Sequence, residues 1–185
     1  SINMKKLIFT ALVVISVLLV FSCGSNKGAD LPEFVMNPPI SDDAFYGVGY
    51  GKQAKESMSI TIAKTQARAD IARQIETTIQ ASVTDYAQEA GVDDNTQVIS
   101  FVESVTREIT DTKLSGAKQL KMEKDDDGGF WVLMQYDKAE MVIAAQEAFE
   151  RNEDAAFAEF KAAQALEKLD YQLKNNPTVS EPQGK

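Results

Sequence analysis

Three glycines spaced two apart in the run Phe45-Tyr46-Gly47-Val48-Gly49-Tyr50-Gly51 constrain this chain more than any other feature. Such a run reads as a short strand. Its glycines let a neighbouring helix or strand approach the backbone closely, while Phe45, Val48 and Tyr50 supply the packing. A long amphipathic helix follows. Met58, Ile62, Ala69, Ala72, Ile75, Ile79 and Val83 recur at three- and four-residue steps, widened by Ile71 and Tyr86, with Lys55, Lys64, Arg68, Arg73, Glu76 and Asp85 on the remaining surface. Ser57 is the expected N-cap and Gly91 the expected stop, giving roughly 33 residues and about 50 Å of helix. The pattern predicts a helix laid on a sheet, narrow and alanine-rich at its start, where Ala63, Ala67, Ala69 and Ala72 permit close packing.

A glycine-rich segment between strand and helix can also cradle phosphate, but the spacing here does not fit. A P-loop needs four residues before Gly-Lys and then Ser or Thr, whereas Gln53 follows Lys52, and the dinucleotide spacing fails as well. Arg68 and Arg73 lie within helical reach of Asp70 and Glu76, which predicts surface ion pairs within the helix.

The first 23 residues read as delivery apparatus. Met4 is taken as the start, Lys5 and Lys6 supply a basic end, and about fifteen nearly all-apolar residues run from Leu7 to Phe21. That run is too short to span a bilayer and carries cations on one side only, as a secretory leader does. Ser22 supplies the small residue before the cut. Cys23, the chain's single cysteine, would then begin the mature protein, as in a bacterial lipobox. Residues 1–23 are therefore expected to be a lipoprotein signal peptide cleaved between Ser22 and Cys23, with Cys23 carrying diacylglycerol and an N-acyl chain such as palmitate. Several acyl chains hold a protein at a membrane far more firmly than one. Gly24 stands where an Asp would argue for the inner membrane, so the outer membrane is expected.

With no second cysteine the exported body can make no internal disulfide and must be held by core packing. The balance of 19 basic and 28 acidic residues, net −9, disfavours nucleic acid in the absence of a local basic cluster. There is no histidine, hence no imidazole base and no Cys/His zinc site. Ser57, Ser59 and Lys64 share one helix but read as ordinary helix residues rather than a nucleophilic dyad. No enzyme activity, no catalytic residue, no metal and no cofactor other than the lipid on Cys23 is expected.

Along the rest of the chain, residues 24–44 read as a flexible tether followed by an extended strap. In the strap, Phe34 and Val35 are apolar pegs between Pro32 and the Pro38-Pro39 pair. Residues 45–137 read as one α+β domain. A second helix is expected from Asp94 to about Thr110, with Thr106 to Thr112 as strand the alternative. Residues 113–124 and 130–136 alternate as a β-hairpin about Asp125-Asp126-Asp127-Gly128-Gly129, a solvated turn rather than a calcium loop. Its second strand, apolar on both faces, is expected to be central in the sheet. Asp137 caps a last helix predicted to run unbroken over residues 138–176, ahead of a disordered tail, 177–185. That helix would be longer than the domain is wide. Its distal half would either pack back on the first helix or present Phe157, Phe160, Leu166 and Tyr171 to another subunit, and the second is slightly favoured.

The lipobox, Pro32-Glu33-Phe34-Val35-Met36-Asn37-Pro38-Pro39, the Phe45-to-Gly49 strand and Ala67-Arg68-Ala69-Asp70-Ile71-Ala72-Arg73-Gln74-Ile75 together resemble the Lpp-twenty family of roughly 20 kDa bacterial lipoproteins. The match covers about residues 30–137, and the family is similar in turn to the lipoprotein of the flagellar basal disk. The resemblance implies a small antiparallel sheet under a long amphipathic helix, held at the outer membrane, often oligomeric, with no catalytic residues to carry over. Two functions follow as expectations: a structural or assembly lipoprotein of the envelope acting through protein partners or self-association, or a monomeric binding lipoprotein. The second would hold a small apolar ligand, or a partner protein, between helix and sheet.

Overall fold

The glycine strand and the helix after it form as expected. In a computed structural model describing residues 31–92, 95–157 and 160–175, strand β1 (Ala44–Gly51) leads into a 34-residue helix, Glu56–Glu89. A single turn, Glu33–Met36, precedes the strand and is numbered α1, so the long helix is α2. Helix α3 (Asn95–Lys113), strand β2 (Lys118–Lys124), strand β3 (Phe130–Asp137) and helices α4 (Lys138–Asn152) and α5 (Ala162–Asn175) follow. The sheet is antiparallel in the order β1-β3-β2, which puts the doubly apolar strand β3 in the centre.

Helix α2 ends as its sequence dictates. Gly91 adopts φ +74°, its N–H donates to the Gln88 carbonyl at 3.2 Å, and the Val92 N–H donates to Ala87 at 2.9 Å. This pair of bonds closes the last carbonyls with a left-handed residue. The start of α2 differs from expectation. Glu56 is its first residue, and Ser59 rather than Ser57 secures the entry, its hydroxyl accepting the Gln53 N–H at 2.8 Å. The buried face is also rotated from the predicted one. Ser59, Ala63, Ala67, Ile71, Ile75 and Ile79 line it, whereas Met58 and Ala69 are exposed and Ile62 and Ala72 only half-buried. The reason lies in β1. A Cβ on Gly51, Gly49 or Gly47 would overlap the backbone carbonyl of Ser59, Ala63 or Ala67 respectively, so the helix face seated there must be the least bulky one. Four helical residues advance about 6 Å and two strand residues about 6.7 Å, which keeps the two rows in step.

An eight-residue strand covers only about half of a helix some 50 Å long. The overhanging turns, with Val83, Tyr86 and Ala87, are covered instead by α3 and α5. Val98, Phe101, Val102, Val105 and Ile109 of α3 are buried as predicted, and α3 stays helical to Lys113, so the strand alternative for Thr106 to Thr112 falls.

The unbroken C-terminal helix expected over residues 138–176 is in fact two helices. Helix α4 ends at Asn152, a 3-10 turn spans Glu153–Ala155, and α5 begins only at Ala162. No proline or glycine marks the break. Phe157 and Phe160 turn inward between the helices onto Tyr86, Phe101 and Phe149, with ring centroids 4.4–6.2 Å apart. Burying these rings outweighs a few helical hydrogen bonds and folds α5 back along α2. The Ser82 hydroxyl donates to the Ala165 carbonyl at 3.1 Å at that contact. Phe157 and Phe160 are thus core residues, unavailable to another subunit; only Tyr171 of that set stands exposed.

The strap also differs in conformation from expectation. Pro32 permits a helical turn because the first turn of a helix needs no N–H from it, and the Val35 N–H returns to the Pro32 carbonyl at 2.9 Å. Phe34 and Val35 are buried, as predicted, against Val48 and Leu133 on the side of the sheet away from α2. The described residues from Leu31 onward form one compact unit. The separately predicted 24–44 and 138–176 segments therefore contribute residues to the same body as 45–137.

Candidate functional site

Helix α2 does more than cover β1. Outward-facing backbone groups alternate along an edge strand, and on β1 three α2 side chains at four-residue intervals meet them. The amide of Gln74 donates to the Tyr46 carbonyl at 2.7 Å, the Val48 N–H donates to Asp70 Oδ2 at 3.1 Å, and the Tyr50 N–H donates to Gln66 Oε1 at 3.3 Å. Asp70 is only 4% exposed, and its other oxygen accepts from Arg73 at 3.0 Å. The ion pair expected among Arg73, Asp70 and their neighbours thus exists, but its acid is a buried structural group. The signal for it was a polar residue every fourth position beside glycines every second.

With β1 sealed, β2 is the open edge. Every residue from Lys118 to Lys124 is exposed, and a register shift between Gln119 and Lys121 leaves Leu120 as an extra residue in the strand. The three lysines of β2 are drawn onto the body. Lys118 pairs with Asp137 at 3.3 Å, Lys124 with Glu56, and the Lys121 ammonium sits 5.9 Å from the Phe34 ring. The face of the sheet away from α2 holds Val48 and Leu133 beneath the strap, with the half-buried Tyr46 and Trp131 beside them.

At the hairpin end of that face, Tyr50 stacks obliquely on Trp131, ring centroids 4.6 Å apart. Burial, aided by a hydrogen bond to Asp125, pushes the Tyr50 phenol up to about 12. Burial alone would raise the Asp125 carboxyl, but hydrogen bonds from Tyr50 and from the backbone of Gly129 and Asp127 bring it below its ordinary value. Asp125 accepts the Gly129 N–H at 2.7 Å and Asp127 stands 3.9 Å from Lys52, so these two of the turn's three aspartates hold groups within or beside it. Among the described residues no group of three or more Asp or Glu side chains is placed to hold a metal ion.

The remaining sequence candidates are structural. Gly47, Gly49 and Gly51 face the backbone of α2 and leave no space for a phosphate. The Ser59 hydroxyl is fully buried and tied to Gln53 and Lys55, so it is not presented to Lys64 as a nucleophile. An open groove of about 930 Å³ runs between the end of α2 and α5, where charged and amide side chains stand beside Tyr86 and Tyr171. Gln172 donates to Asp85 across it at 2.6 Å, and Lys168 meets Glu89 there. Sequence reasoning missed Lys138, 4% exposed, whose ammonium lies 5.6 Å from the Phe45 ring. Ser22 and Cys23 fall outside the described residues.

The pattern that defines the LPP20 lipoprotein family matches residues 32–137, more than half of the 185. The chain belongs to the LPP20 lipoprotein family. The match runs from the strap to the end of β3, so the LPP20 region comprises the sheet, α2 and α3, while α4 and α5 complete the core from beyond it. No curated protein and no solved structure matches the chain. Among the described residues no helix of this LPP20 lipoprotein is long and apolar enough to cross a membrane.

Proposed function

We propose that this LPP20 lipoprotein is held at the outer membrane by acyl chains on Cys23 and serves the cell envelope without catalysis, in a structural or assembly role exercised through protein contacts. One observation carries the reading. The sheet is sealed along β1 by Gln66, Asp70 and Gln74 and left open along β2, so the surface this body offers is a contact surface. Its polar groups support the same view, because Ser59, Asp70 and Asp125 are all engaged in holding the fold. A binding protein with an apolar ligand between helix and sheet fits less well, since α2 rests directly on the β1 backbone there.

Mass spectrometry of the protein purified from its native membrane tests the anchor: a mature N-terminus at Cys23 bearing the mass of three acyl chains is expected, and a free thiol would refute it. Envelope fractionation by density then places it, with the outer-membrane fraction expected. Cross-linking from Gln119 or Glu123 in intact cells should trap a protein partner or a second copy along β2. An LPP20 body that stays an uncross-linked monomer in the cell would overturn the assembly role.

A further inference from the structure

Nine large apolar side chains stand exposed among the described residues, and three of them, Leu31, Met36 and Ile40, fall within the ten residues of the strap at 40%, 65% and 60% exposure. Leu120 and Met122 stand together on the edge strand β2, whereas Met58, Ile99, Ile143 and Tyr171 occur singly over a much longer stretch, which is ordinary for a protein surface. The strap is apolar on both sides. Phe34 and Val35 pin it to Val48 and Leu133, and Met36, on the same turn, points away. Water alone gives no reason for that outer side. On the sheet face beside the strap are the half-buried Tyr46, Tyr50 and Trp131, rings with an apolar body and a polar tip, the type enriched where lipid meets water.

Chain length supplies an independent constraint. Leu31 follows Cys23 by eight residues, a span of no more than about 29 Å even when fully extended. A body anchored at Cys23 therefore keeps the start of its strap within about 29 Å of the anchor. Charge is balanced on this side: Lys118 and Lys121 project from the same sheet face as Glu123, and Glu33 of the strap is exposed. Anionic lipid is thus not required, and the long stems of such residues reach back to water from an interface.

We propose that the outer side of the strap lies on the lipid surface itself, with Leu31, Met36 and Ile40 among the headgroups and Trp131 at their level. This rests on anchoring at Cys23, and the test separates the two. Trp131 is the only tryptophan in the chain and reports its own depth. The full lipidated protein is reconstituted in phosphatidylcholine vesicles with either unlabelled chains or chains brominated near the headgroup. It floats with both, and bromine lowers the Trp131 emission about twofold, since an interfacial contact sits some 5–10 Å deep. Replacing both Met36→Glu and Ile40→Glu, at exposed positions, leaves flotation and circular dichroism unchanged and restores the emission; Leu31→Glu alone gives the same comparison should the double variant misfold. Flotation with equal emission in both vesicles, or quenching indifferent to these variants, overturns the strap contact while leaving the anchor intact. Protein that fails to float overturns both.

Discussion

The backbone N–H of Val48 donates to the buried carboxylate of Asp70, 22 residues away, at 3.1 Å. That bond satisfies an outward-facing group of an edge strand with a side chain of the helix lying on it. The same carboxylate holds Arg73. An unpaired N–H at a buried site costs about 1–3 kcal/mol. Asp70→Ala should therefore destabilise the protein by that amount in urea unfolding, whereas Asp70→Asn, which keeps an acceptor oxygen, should lose clearly less. Equal losses for the two would show that the Arg73 pair, not the Val48 bond, carries the stability.

Gly49→Ala should cost about 3 kcal/mol or prevent folding, because the new methyl would meet the Ala63 carbonyl. The obstacle is backbone, so truncating the facing side chain cannot relieve it. The double variant with Ala63→Gly should recover nothing. Recovery in thermal melting would mean that the seam yields.

Phe160→Ala should cost about 3–5 kcal/mol, since Phe160 is 1% exposed and touches four other rings. Tyr171→Ala, at an exposed position of α5, should stay within about 0.5 kcal/mol. A small effect at Phe160 would argue that the chain reversal before α5 is not part of the folded core.

Two of the five tyrosines, Tyr50 and Tyr136, should ionise late, both pushed up to about 12 with burial the largest cause. A raised phenol means that the fold favours the protonated form. Its contribution to stability is full below pH 10.0, the ordinary value, and is lost as the pH rises toward about 12. Ultraviolet titration should show phenol ionisation near pH 12, and Tyr50→Phe should remove part of it. Asp125 works at the other end. Its lowered carboxyl adds stability above the ordinary carboxylate range that disappears as pH falls through the folded value, so Asp125→Asn should flatten the acid limb of the stability curve.

What the chain encodes locally was readable. Period-two glycines, a long helix ending at Gly91, the hairpin strands and the buried pegs Phe34 and Val35 all appear where their spacing puts them, because each depends on backbone stereochemistry and near neighbours. The α+β class and the LPP20 kinship came from the same local patterns.

Tertiary structure alone decided the rest. It rotated the buried face of α2 toward Ser59, Ala63 and Ala67, because backbone clearance over β1 outweighed the apolarity of Met58. It buried Asp70, because only the pairing of a particular strand edge with a particular helix gives that carboxylate an N–H to accept. It broke the helix after Asn152 with no breaker present, because Phe157 and Phe160 gain more from the rings of Tyr86, Phe101 and Phe149 than from staying in a straight helix. Each of these choices is a contest between surfaces far apart in the chain, and a one-dimensional pattern does not record which surfaces meet.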